Sequence, residues 1–279
     1  MLDKIEKIGH GTLIQHGELN KRVYLMKLDE RDCPGIIEQI NTLARDNNYS
    51  KIFCKIPQQF APYFFANGFL MEAQIPEFYQ GTDAAFFVSK FLSSDRLLDI
   101  ENDSLFQLST LLESVNGEAD KSEKSAKSFR LVKLTENNLE EITSIYREVF
   151  ESYPFPIFET GYIQKTMQEG VQYFGMETKG KLVALASAEI DAKGLNAEMT
   201  DFATLPKYRG SGLSLLLLKT MEKEMKRQGL KTLYTIARLK SIGMNKTFLR
   251  RNFTYAGTLI KNTNISGNIE SMNVYYKSI

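Results

Sequence analysis

Leu205-Pro206-Lys207-Tyr208-Arg209-Gly210-Ser211-Gly212-Leu213-Ser214 is the stretch of this 279-residue chain whose residue types and spacing speak most directly of chemistry. A strand that runs into a glycine-rich turn and then opens a helix can hold phosphate. Its consecutive backbone N–H groups point outward, and the helix dipole adds partial positive charge. Gly210 and Gly212 let the backbone come against an anion where a Cβ would intrude. The turn is neither a Gly-x-x-x-x-Gly-Lys-Ser/Thr loop nor a Gly-x-Gly-x-x-Gly dinucleotide fingerprint, since position 215 is Leu.

The elements that must position this turn can be read around it. Phe129 to Leu134 alternates as a short strand, and Thr135 or Asn137 can cap a helix carrying Leu139, Ile142, Ile145, Tyr146 and Val149 on one face. Tyr153-Pro154-Phe155-Pro156 stops that helix, because proline cannot continue it. A second helix is expected over 161–168, then strands over 171–178, 182–190 and 197–205. A long helix from about Gly212 to Gln228 ends at Gly229. A strand over 232–237, a helix near 244–251 and two closing strands, 255–261 and 272–277, complete the order β-α-α-β-β-β-α-β-α-β-β. That is an α+β plan with a mixed central sheet.

Upstream, residues 93–114 read as one or two amphipathic helical turns. Asn116 to Ser128, NGEADKSEKSAKS, is too polar to pack and reads as a linker. The expected organisation is an N-terminal α/β domain over 1–115, a polar linker over 116–128 and a second domain over 129–279. The first block has strands at 23–28 and 51–56, a helix at 34–47, a short helix at 60–67 closed by Gly68-Phe69, and strands at 70–79 and 84–91. This is the rhythm of the second half of the later block, with Asn67-Gly68-Phe69 standing where Arg251-Asn252-Phe253 stands. No glycine turn introduces the helix at Pro34, so this block should not hold phosphate. An unrelated small α/β domain is the alternative reading. His10 and His16, in GHGTLIQHG, read as surface loop residues.

Arg209, Gly212 and Ser214 resemble the acyl-CoA signature of the GNAT superfamily, Arg/Gln-x-x-Gly-x-Gly/Ala, with Ser in the last small position. Downstream, SIGMNKTFLRRNF (241–253) is similar to that superfamily's second signature, an Asn-led helix ending in Tyr-x-x-x-Gly-Phe. Here Ser241, Phe248 and Asn252 replace its Asn, Tyr and Gly. Asn is the best substitute for Gly in left-handed geometry. Phe248 changes more, because in much of the family that Tyr protonates the departing CoA thiolate. Its loss leaves the step to water, to another group or to none. The resemblance implies a GNAT acyl-CoA N-acyltransferase fold with a degenerate GNAT-like half-domain before it. It implies acetyl-CoA as co-substrate, with Phe202, Ala203, Thr204, Arg209, Gly210, Ser211, Gly212, Leu213, Ser214, Ser241, Asn245 and Phe248 around it.

Direct transfer needs a free amine, and an alkylamine with a pKa near 10.4 is only ~0.1% deprotonated at about pH 7.4, a handicap of ~4 kcal/mol. A base must take that proton, directly or through water. Glu198 matches the catalytic glutamate of the histone-acetylating members, with Asp201 and Glu189 as rivals. Equally, such a carboxylate can serve only to attract an ammonium. Backbone N–H groups near Phe202 to Thr204 would hold the thioester oxygen. NAEMTDFATLPKYRGSGL (196–213), 243–277 and, more loosely, the first block are similar to β-lysine N6-acetyltransferases, which serve compatible-solute synthesis. That resemblance implies a small amino-acid amine, met by Tyr153, Phe155, Glu189 or Asp201 and the Asn-rich tail (Asn262, Asn264, Asn268 and Asn273). Acetylation of a polyamine, of lysine or of a protein N-terminus, and a non-catalytic acyl-CoA-binding regulator, are the alternatives.

Composition bounds the rest. With 35 basic against 34 acidic side chains the formal charge is +1, which favours neither nucleic acid nor an anionic membrane. Apolar residues at 43% and charged ones at 25% are those of an ordinary globular protein. Cys33 and Cys54 form no C-x-x-C pair and no His cluster accompanies them, so no metal is expected. The first ten residues carry charges throughout, and no stretch nears a ~20-residue apolar span. A cytoplasmic protein is expected. A homodimer is compatible with the sequence, which does not fix the oligomeric state.

Overall fold

A computed structural model describes residues 3–114 and 128–279. All but Ser128 of the polar stretch at 116–128 therefore falls outside the described residues. The later block forms β7 (Arg130–Leu134), α5 (Leu139–Val149), α6 (Thr160–Gln168), β8 (Gln172–Thr178), β9 (Lys181–Asp191), β10 (Asn196–Thr204), α7 (Leu213–Arg227), β11 (Thr232–Arg238), α8 (Ile242–Arg250), β12 (Thr254–Ile265) and β13 (Asn268–Ser278). This is the expected order, because each element carries its own periodicity and stop signal. In α7, Leu213, Leu217, Leu218, Met221 and Met225 fall on one buried stripe. Gly229 at φ +82 turns the chain out, and Leu230 N–H closes onto the Met225 carbonyl.

The earlier block holds β1 (Lys4–Ile8), β2 (Thr12–Gly17), β3 (Arg22–Lys27), α1 (Ile36–Asp46), β4 (Lys51–Pro57), α2 (Ala61–Ala66), β5 (Leu70–Tyr79) and β6 (Asp83–Phe91). Two helices, α3 (Ser94–Leu98) and α4 (Asn102–Ser114), follow. The hairpin β1–β2 is an addition to the elements read from sequence, and it corrects one reading. His16 is not a loop residue: it is 4% exposed on β2, bonded to Glu6 at 2.7 Å and to Tyr49 at 3.1 Å.

All thirteen strands make one sheet, in the order β1-β2-β3-β4-β6-β5-β12-β13-β11-β10-β9-β8-β7. Outward from the β5–β12 seam the two blocks repeat the same pattern. β5-β6-β4-β3-β2-β1 and β12-β13-β11-β10-β9-β8 each contain one parallel pair, β3–β4 or β10–β11, among antiparallel neighbours. The helices α1 and α2 occupy the same places in the chain as α7 and α8. The repetition extends over six strands, beyond the half-domain rhythm visible in the sequence.

Helices α1 and α2 cover the face of β4 that presents Ile52, Cys54 and Ile56. The opposite faces of the two blocks share a third core, in which Tyr24, Phe53, Phe78 and Phe87 of the first meet Tyr234, Leu259, Ile265 and Met272 of the second. A cavity opens beside this shared core.

Candidate active site

Strands β10 and β11 are paired only from Asn196 to Glu198, opposite Thr232 to Tyr234, and beyond that they part. The register of β10 with β9 breaks between Thr200 and Ala203, where Asp201 takes φ +54. Aspartate tolerates that left-handed backbone better than most residues. The bulge bends β10 away from β11 and frees its backbone groups from the ladder.

The gap opens into a cleft of about 830 Å³. At one end lies the turn 209–214, with Gly210 at φ +78 and Gly212 at φ +75 directly before the first turn of α7. A Cβ added at Gly210 would meet no atom within 4 Å, so the turn faces open space. The N–H groups opening α7 have no intrahelical acceptors and suit a diphosphate. Arg209, Arg238, Lys246 and Arg250 also line the cleft. The corresponding β3–α1 connection carries Asp29, Glu30 and Asp32 instead, which would repel phosphate.

Phe202, Thr204, Ser211, Leu213, Ser214, Ser241 and Phe248 line this same cleft, as expected from sequence. Ala203 and Asn245 do not. Ala203 packs into the core under α5, and Asn245 is fully buried, donating to the carbonyls of Arg238, Leu239 and Ser241 while accepting from Asn273 and Tyr275. Phe248 is 1% exposed and packs edge-on to Phe202, with ring centroids 5.6 Å apart.

A second cavity of about 660 Å³ lies on the other side of β10. The two share Tyr153, Thr200 and Asp201 in their walls, so they meet at the bulge. Glu189, Glu198, Phe155 and Asn262 line the second cavity, together with Arg22, Tyr24 and Lys55 of the first block. Those last three were not singled out from the sequence. Gln15 ties the blocks further, donating to the Pro154 carbonyl at 2.9 Å.

Three carboxylates surround the junction. Glu189 and Glu198 stand directly opposite each other on antiparallel strands. Burial raises both pKa values above the ordinary carboxylate range, and their mutual repulsion raises Glu189 further. The Glu189 side chain is exposed into the cavity, and its desolvation comes from the protein packed around that cavity. Lys55 opposes the rise at Glu198; it donates to the Tyr234 hydroxyl at 2.9 Å, and Tyr234 hydrogen-bonds to Glu198. Asp201 is held by Tyr153 and Ser187 hydroxyls, and burial raises its pKa as well. Among the described residues no cluster of His, Cys, Asp and Glu has the makings of a metal site, and no helix is long and apolar enough to cross a membrane.

A cleft that opens on a carboxylate-lined cavity and is lined by a glycine turn at a helix N-terminus suits an N-acyltransferase. The acetyltransferase (GNAT) family model matches residues 137–253. Over 276 residues, 99% of each chain, the protein is 38% identical to the Beta-lysine N(6)-acetyltransferase of Methanococcus maripaludis. It is 31% identical over 283 residues, the full length of both, to the N-acetyltransferase YodP of Bacillus subtilis. Among solved structures it is similar to the ribosomal-protein-S18-alanine N-acetyltransferase from Escherichia coli, at 18% identity and a TM-score of 0.48, over 54% of this chain and 94% of that one. The chain belongs to the GNAT family and is an N-acetyltransferase.

Proposed function

We propose that the protein transfers the acetyl group of acetyl-CoA to the N6 amine of β-lysine. One observation carries the reading: two cavities meet at the β10 bulge, one suited to a long anionic thioester and the other walled by both carboxylates and cations. The full-length similarity to a protein named for β-lysine supports the choice of amine.

In this reading the diphosphate of acetyl-CoA lies on the turn 209–214 and the thioester reaches the bulge. The amine enters from the second cavity as an ammonium, drawn by Glu189, Glu198 and Asp201. Glu198 takes its proton, and the freed nitrogen attacks the thioester carbon. Backbone N–H groups released by the bulge meet the developing oxyanion, the second proton of the attacking nitrogen leaves to water, and the C–S bond breaks to release CoA thiolate. Phe248 has no hydroxyl to protonate that thiolate. Asp201 is fixed by Tyr153 and Ser187, so its part is to position Tyr153 and to favour the ammonium by charge.

The test is an amine panel with mass detection of product. Selection of ~10-fold or more for β-lysine over L-lysine, and a weaker rate still for spermidine, is expected. A buried polar partner left unmet by the wrong spacing costs ~1–3 kcal/mol. Equal specificity constants for all three would reduce the enzyme to a general amine acetyltransferase.

A further inference from the structure

We propose that Arg22 and Asn262 form the head-group subsite of the amine cavity, Arg22 holding the substrate carboxylate and Asn262 its second ammonium group. The inference rests on the β-lysine reading above and assigns the end of the cavity away from the reacting nitrogen.

Arg22 is 3% exposed on β3, its guanidinium 5.1 Å from the ring centroid of Tyr24 and 5.8 Å from that of Phe53. Nη1 donates to the Asn262 carbonyl and, at 3.1 Å, to Thr263 Oγ1; Nη2 donates to Gln15 Oε1 at 3.3 Å. Nε has no partner among the described residues, and no carboxylate there lies within ion-pair distance of the guanidinium. Asn262 is 1% exposed, and its Oδ1 is likewise without a partner. A buried cation lacking an anion, next to a buried acceptor lacking a donor, is costly within the protein alone. Both side chains line the cavity; the two unpartnered atoms are themselves sealed, so a zwitterionic head group there would meet them through a small turn of each side chain.

The surrounding charge points the same way. Lys51 and Arg96 lie close enough to Arg22 to be felt electrostatically, yet the carboxylate ion-paired within this cluster is Glu72, which binds Lys51. Asp3 also acts on Arg22 from beyond ion-pair distance, so three cations stand against two carboxylates and this end of the cavity keeps an excess of positive charge. Tyr24 stands between the ends and senses both Arg22 and Glu198. Lys55 is a poorer candidate for the carboxylate, because Glu198, Glu189 and Asp191 already answer its charge. Burial lowers the pKa of Arg22 only to about 10, so it stays cationic at neutral pH.

Two truncated substrates separate the roles. Pentane-1,4-diamine is β-lysine without its carboxyl group, and 6-aminohexanoate is β-lysine without its 3-amino group. Arg22→Gln should raise KM ~30-fold for β-lysine and for 6-aminohexanoate, with kcat little changed, and less than threefold for pentane-1,4-diamine. Asn262→Leu should raise KM about tenfold for β-lysine and for pentane-1,4-diamine, but not for 6-aminohexanoate. Thermal melting and acetyl-CoA calorimetry report on the fold. Because Arg22 also grips β12, Asn262→Leu decides the matter if Arg22→Gln does not fold. Losses of equal size on all three amines would overturn the subsite. A wild-type enzyme indifferent to the carboxyl and 3-amino groups would instead overturn the substrate reading itself.

Discussion

Glu189 and Glu198 face each other across β9 and β10, with Lys55 and Tyr234 completing the group. Like charges so placed cannot both ionise freely, and burial adds to the penalty. Both groups have folded-state pKa values raised above the usual 4.5, so each keeps its proton to higher pH than a solvated glutamate would. A base that must be ionised then gives kcat/KM an acid limb lying above the ordinary carboxylate range. Glu198→Gln keeps the shape and removes the basicity. We expect kcat to fall ~10²–10⁴-fold and that limb to flatten, as measured in single-turnover rates from pH 5 to 9. A parental profile in the variant would pass the role to Asp201 or to water. Tyr153, Phe155, Glu189, Glu198 and Asp201 are named from the family resemblance, and all five line the second cavity. Arg22, Tyr24 and Lys55 are not. In KIFCKI, Lys51 and Lys55 alternate with Ile52, Cys54 and Ile56, which reads as a solvated face. That face is covered only because a second block of the same chain folds over it.

Among the elements, the glycine turn and α7 were legible because φ-permissive residues, apolar period and helix stop agree locally. The β10 bulge was not, since nothing in NAEMTDFAT marks where register slips; the slip depends on pairing with β9 on one side and parting from β11 on the other. The β1–β2 hairpin escaped for a related reason. His16 is buried only through Glu6 and Tyr49, which no local pattern joins to it. The turn itself can be tested at this scale. Gly212 sits at φ +75, so any side chain there costs ~1–2 kcal/mol of backbone strain. Gly212→Glu adds a negative charge where the diphosphate is proposed to lie. Acetyl-CoA binding should become undetectable by calorimetry, with the melting temperature lowered by only a few degrees. Unchanged affinity would remove the turn from the cofactor site.

Among the described residues all strands join one sheet across the β5–β12 seam, and residues from both sides of that seam line the second cavity. Gly257 of β12 pairs with Ala73 of β5, at φ +149, a backbone open to glycine. A Cβ there would lie 2.1 Å from the Glu72 carbonyl oxygen and 2.8 Å from the Ala73 Cα, both backbone atoms that cannot swing aside. A few residues on, Lys51, Arg96 and Arg22 grip the successive carbonyls of Ile260, Lys261 and Asn262, and Glu72 accepts from Ile260 N–H. These contacts hold Arg22, Tyr24 and Lys55 in the wall of the second cavity. The cleft proposed for acetyl-CoA, in contrast, is lined from residue 149 onward. Gly257→Val should therefore separate the two cavities functionally. Strain and overpacking together should destabilise the protein by ~2–5 kcal/mol in urea titration. KM for β-lysine should rise ~10-fold or more as the seam parts, with acetyl-CoA affinity held within threefold. Gly180→Ala is the matched control, at φ +73 with no atom within 4 Å of the added Cβ, and it should leave both constants alone. A folded Gly257→Val enzyme with parental amine KM would show that the first block does not shape the cavity, and acetyl-CoA affinity lost in parallel would show that the seam carries the whole fold.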